Sequence, residues 1–213
     1  MSNQLTLYNL ALLYCGERAL SSLTESREPR RTLDEVWNAN GVKKCLEEGQ
    51  WRFARRSVQI DYDPDITPQF GFGRAFPKPS DYVVTVAMCQ DEYFREPLLR
   101  YSDEAGHWYS DLDVMYVTYV SSDDGYGLNI NDWPGWFEEF VAAHFASRII
   151  WKLSASEDKL KTITALRQSL KKTALNRDAM SDPTKFPAPG GWVRARHRQG
   201  SSRDRGNLSG DLY

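Results

Sequence analysis

The feature that most constrains this chain is a change of period. Pro64, Pro68, Pro77 and Pro79 punctuate residues 57–121, where β-branched and aromatic residues are dense, while the segments on either side repeat their apolar residues at helical spacing. Helices are excluded from the middle and favoured at both flanks. Within the middle, YVVTVAM (82–88) and VMYVTYV (114–120) are the best strands. SVQIDY (57–62), EPLLRY (96–101) and HWYS (107–110) are weaker ones. Turn-forming residues at 103–106 and 111–113 predict that the last three strands form a meander.

On the amino-terminal side, Leu5, Leu7, Tyr8, Leu10, Leu12 and Leu13 cover most of a helix over about 4–15, with Gly16 placed to end it. A second helix is expected over about 29–48, with Leu33, Val36, Trp37, Val42, Cys45 and Leu46 near one stripe and Gly41 weakening its middle. On the carboxyl-terminal side, Phe137, Phe140, Val141, His144, Phe145, Arg148 and Ile149 mark a helix over about 133–153, capped by Asp132. Ser154 and Glu157 read as a capping box for a last helix over about 155–180, striped by Leu160, Ile163, Arg167, Leu170 and Ala174. The fold expected is therefore mainly α: a four-helix bundle with an inserted small antiparallel β-sheet and an extended tail. Residues 1–181 form the body and 182–213 the arm.

The arm differs from the body in charge. Lys185, Arg194, Arg196, Arg198, Arg203 and Arg205 against Asp182, Asp204 and Asp211 give it +3, which leaves the body at −5 within a net charge of −2. Its prolines and glycines support no periodic apolar pattern, and its composition is that of a segment that orders on a partner. Phe186, Trp192 and Val193 argue against a purely solvating terminus, because Trp and Arg together anchor interfaces.

Recognisable chemistry is sparse. The chain has no phosphate-loop, nucleophile-elbow or HExxH motif, so no catalytic residue, metal or cofactor is assigned and an enzyme is not expected. His144, on the edge of an apolar helix face, reads as a packed histidine; His107 falls at a turn and His197 in the arm. Asp61, Asp63 and Asp65 alternate like a calcium loop, but Pro64 interrupts them. The stretch QWRFARRS (50–57) has the aromatic and basic character of nucleic-acid surfaces. The favoured reading instead packs Trp51 and Phe53 under the helices and leaves Arg52, Arg55 and Arg56 solvated or ion-paired. Cys15, Cys45 and Cys89 are odd in number and widely spaced, which predicts neither disulfides nor a zinc site. The chain opens without a positively charged run and has no apolar stretch near the ~18–20 residues of a membrane span, so neither secretion nor a membrane partner is expected.

Taken in order, LALLYCGERALSSLTE, GQWRFARRSVQI, FPKPSDYVVTVAM, VMYVTYVSSDDGYGLNINDWPGWFEEFVAAHFASRI and SEDKLKTITALRQSLKKTALNRDA resemble the head-to-tail adaptor proteins of tailed phages, the tail tubular protein A or gatekeeper-ring family. The resemblance covers most of residues 5–180 and rests on the order and spacing of the segments. It implies a helical bundle with a β insertion, assembled in the host cytoplasm into a dodecameric ring of the virion neck. Such a ring lies between the portal protein and the tail or nozzle proteins and continues the channel through which genomic DNA passes. It also implies a C-terminal extension docked on the portal. In that role Trp192 and its neighbours Phe186 and Val193 would fill apolar pockets, and Arg194, Arg196, Arg198, Arg203 and Arg205 would meet acidic groups, with Gly190 and Gly191 as a hinge. The competing reading makes the arm a nucleic-acid grip, with the steep salt dependence of phosphate contacts.

Overall fold

The computed structural model describes residues 3–181. Its elements run α1 (Gln4–Cys15), α2 (Glu28–Asn38), α3 (Gly41–Leu46), β1 (Arg55–Asp61), β2 (Arg74–Pro77), β3 (Tyr82–Cys89), β4 (Ser102–Glu104), β5 (His107–Ser110), β6 (Val114–Ser121), α4 (Gly135–Ser154) and α5 (Glu157–Met180). Five helices and two three-stranded antiparallel sheets make this a mixed α/β architecture, which corrects the expected mainly-α four-helix bundle.

Two physical reasons account for the correction. The helix expected over 29–48 is broken, because Asn40 adopts a left-handed conformation (φ 59°) between α2 and α3. At the next residue only glycine fits: a Cβ on Gly41 would lie 2.7 Å from the carbonyl oxygen of Val36 and 3.1 Å from the Phe145 ring. The β segment, for its part, is large enough to enclose a core of its own. One sheet has the order β1-β6-β3 and the other β2-β5-β4. Phe76 and Trp108 of the second sheet pack with Met88, Met115, Val117 and Tyr119 of the first.

Strand β6 joins the two halves. Its Met115, Val117 and Tyr119 face the β core, whereas Val120 belongs to the helical core. The expected meander is therefore absent: β5 pairs with β2 and β4, and β6 lies between β1 and β3. The EPLLRY segment contributes only an isolated bridge, Cys89 to Pro97. Strand β3 reaches β6 through two register shifts, after Tyr82 and after Thr85.

Helix α4 is the centre of the helical half, with Phe137, Phe140, Val141, Phe145, Ile149 and Ile150 buried. Leu7, Ala11 and Leu12 of α1, Leu33 of α2, Val42 and Leu46 of α3, and Ile163 and Ala174 of α5 complete that core. Each large apolar side chain removed from water here contributes about 1.5–3 kcal/mol. The caps differ from expectation. Pro134, not Asp132, precedes α4, and Ser154 ends it; Ala155 turns left-handed (φ 46°) and the Ser156 hydroxyl accepts the Lys159 amide at the start of α5.

Candidate interaction surfaces

Every residue assigned to portal binding, Phe186, Trp192, Val193, Arg194, Arg196, Arg198, Arg203 and Arg205, lies outside the described residues, as does His197. What the structure does describe is the anchorage of α5 just before them. Near its end Asp178 is buried, and its Oδ1 accepts the backbone N–H of Arg52 at 3.0 Å. Burial pushes this carboxyl above its usual range, partly offset by that hydrogen bond.

The QWRFARRS stretch, which ends at the start of β1, is a joint and not a basic face. Trp51 is fully buried, with ring centroids 5.1 Å from Phe137 and 6.0 Å from Phe140, and its indole N–H donates to the Cys45 carbonyl at 3.0 Å. Phe53 packs 4.7 Å from Phe137. Arg55 donates through Nε and Nη2 to the carbonyl of Gln50. Arg56 pairs with Asp81 at 3.0 Å and lies over the Tyr126 ring.

Asp81 gathers more than that one partner. Its carboxylate accepts the hydroxyls of Tyr119 (2.9 and 3.0 Å) and Ser121 (2.5 Å), and its backbone carbonyl accepts the Ser122 amide at 2.7 Å. Burial opposes the charge, but the hydrogen bonds from Ser121, Tyr119 and Arg56 together outweigh it and hold the carboxyl below its ordinary value. The node ties the beginning of β3 to β1 and to the end of β6, beside the helical core.

The surfaces with interaction character lie elsewhere. On the β half, Phe70 is 87% exposed and Leu99 89%. Phe70 and Phe72 line a cleft of about 280 Å³ with Ile66, Pro68 and Tyr109. Arginines sit over the aromatic rings of this half: Arg74 over Tyr62 at 4.7 Å, Arg95 over Tyr93 at 5.2 Å, and Arg100 over Phe72 at 5.5 Å. On the helical half, Leu13 is 69% exposed beside a groove of about 380 Å³ between α1 and α5, and Trp151 of α4 is 58% exposed. Sequence reasoning missed these surfaces. The usable signal was a run of aromatic residues, Phe70 and Phe72, in a Pro- and Gly-rich loop with no period to assign them to a core.

The remaining candidates have structural roles. Asp63 Oδ1 accepts the Asp65 amide in a turn, and among the described residues no three His, Cys, Asp or Glu side chains are grouped to hold a metal. In the loop before β2 the Gly73 amide donates to Asp111, and Arg74, at the start of β2, pairs with Asp113. His107 begins β5, its Nδ1 3.1 Å from the Ala105 carbonyl. His144 is buried in α4 and its Nδ1 accepts Arg167 Nε at 3.1 Å; Arg167 also pairs with Glu48, which holds Lys171 at 2.9 Å. That network links α5 to α4 and to the residues just after α3. Among the described residues no helix is long and apolar enough to cross a membrane. Compared with known proteins, the chain matches no family model and no curated protein.

Proposed function

We propose that this protein is a structural adaptor of a phage virion. It assembles as a homo-oligomeric ring, dodecameric in the family it resembles, between the portal protein and the tail or nozzle proteins, and the ring continues the channel for genomic DNA. The C-terminal arm, with Trp192 and its alternate arginines, docks on the portal. The observation that carries this reading is that one folded body exposes large apolar side chains in separate places, Phe70 and Leu99 in loops of the β half and Leu13 and Trp151 on helices α1 and α4. A heterologous ring needs two different surfaces on each subunit, and the β half and the helical half each offer one with exposed apolar groups.

Deleting residues 182–213 tests the docking role. The truncated chain is expected to keep its folded body, which has both cores within residues 3–181, and to lose capture by immobilised portal protein. Undiminished capture refutes the role given to the arm. Repeating the capture at 50 and 500 mM salt separates portal docking from a phosphate grip: apolar anchoring persists when charges are screened, whereas phosphate contacts lose orders of magnitude in affinity.

A further inference from the structure

A cleft of about 290 Å³ between α2, α3 and α4 is lined by Thr32, Glu35 and Val36, by Gly41 and Lys44, and by His144, Arg148 and Lys152. Its charge is lopsided. Lys44, Arg148 and Lys152 supply three cations, against the single carboxylate of Glu35, which lies 3.3 Å from Lys152 at the rim. Lys44 and Arg148 are solvent-exposed and form no ion pair among the described residues.

The second observation is His144. It is 3% exposed, and its Nε2 has no hydrogen-bond partner among the described residues. The state of that nitrogen follows from its ring partner. Arg167 Nε always carries a hydrogen and can only donate, so Nδ1 of His144 must accept, and the imidazole hydrogen sits on Nε2. His144 lines the cleft and Arg167, its partner at Nδ1, does not. A buried N–H donor without an acceptor thus belongs to a residue that lines the cleft together with three cations. A buried donor in that state costs free energy until an acceptor meets it. Burial and the positive charges of Arg167, Arg148 and Lys44 disfavour a second proton on the ring, with Glu48 opposing them, so the imidazole is a neutral donor at pH 7.

We propose that this cleft is a binding site for a phosphate-class dianion, with Nε2–H of His144 donating at its floor and Lys44, Arg148 and Lys152 surrounding the charge. A dianion balances the excess of two positive charges. The volume admits inorganic phosphate or a small phosphate monoester. The site is independent of the adaptor reading, since it uses no residue of the arm and none of the exposed aromatic surfaces.

The test uses the full chain labelled with ¹⁵N, observed by long-range ¹H–¹⁵N spectra of the histidine side chains at pH 7.5. Inorganic phosphate is expected to move the His144 Nε2 signal saturably, while His107 stays fixed and chloride at equal ionic strength has no effect. Glycerol 1-phosphate in place of inorganic phosphate distinguishes an organic from an inorganic source, and saturation by either supports the site. The exposed-residue variant Lys44→Gln/Arg148→Gln keeps the core intact and should weaken the apparent affinity by about tenfold or more, through loss of two charge-assisted contacts. Four results would overturn the proposal: no saturation by either phosphate compound, an equal response to chloride, equally tight saturation by acetate, or unchanged affinity in the folded double variant.

Discussion

Replacing Asp81 by alanine isolates the joint that holds β1, β3 and β6 together. The substitution removes the acceptor of two hydroxyls, those of Tyr119 and Ser121, both on fully buried residues. Leaving a buried hydroxyl unsatisfied costs about 1–3 kcal/mol, so the pair sets a loss of about 2–5 kcal/mol. Arg56 is well solvated and adds little once freed. For a chain of this length each kcal/mol lowers Tm by roughly 2–4 °C, which predicts a drop of about 5–15 °C by calorimetry. The double variant Asp81→Ala/Tyr119→Phe should cost less than the sum of the single changes, by about 1 kcal/mol or more, because it also removes one orphaned hydroxyl. The carboxyl pKa is held low in the folded state, so the contribution of Asp81 is complete above the ordinary carboxylate pKa and is lost as pH falls below it. An Asp81→Ala chain within about 0.5 kcal/mol of wild type, the range of an ordinary surface change, would refute this account of the node.

Further expectations concern single groups. In the loop after β6, a Cβ on Gly127 would lie 2.2 Å from the Ser121 carbonyl oxygen and 2.8 Å from Leu46, so Gly127→Ala should destabilise by about 3 kcal/mol or abolish soluble expression, checked by urea unfolding. His144 is faced by Arg167, Arg148, Lys44 and Glu48, and burial with the three cations lowers its pKa to about 4. The unfolded chain protonates this histidine first, near pH 6.5, so stability should fall by on the order of 3 kcal/mol as pH drops from 6.5 to 4. Urea midpoints in His144→Gln should lose that part of the pH dependence. Cys15, Cys45 and Cys89 are buried, and burial pushes all three thiols up, Cys15 to about 11, so a thiol reagent at pH 8 should label the native chain slowly and the unfolded chain at once.

Local pattern carried the reading where one period ran undisturbed. Helix α1 matches its expected bounds because apolar residues cover most of it and Gly16 ends it. HWYS and VMYVTYV became β5 and β6 because burial alternates in both and the residues are mainly aromatic in the first and mainly β-branched or aromatic in the second. The expected roles of Trp51, Phe53 and Arg56 also hold, since large rings beside arginines can bury the former and pair the latter. What the pattern could not carry was pairing at long range. Nothing local says that β6 belongs between β1 and β3, more than 25 residues away, and not beside β5. Strand β2 is hidden between Gly73 and Pro79 because its Arg74–Pro77 segment is too short to show a period. At the break after Asn40, Gly41 lies close to Val36 of α2 and to Phe145 of α4, and the second of these contacts joins segments far apart in the chain. The cleft at His144 was illegible for the same reason: its cations come from two helices, and the free nitrogen is defined only by the arginine on a third.

The adaptor reading is tested most directly by electron microscopy of the full-length protein mixed with its portal protein. The account predicts a closed ring of this chain, coaxial with the portal and with an open central channel, and no such ring on the portal when residues 182–213 are deleted. A chain that remains monomeric beside intact portals, or binds them without forming a coaxial ring, would contradict it.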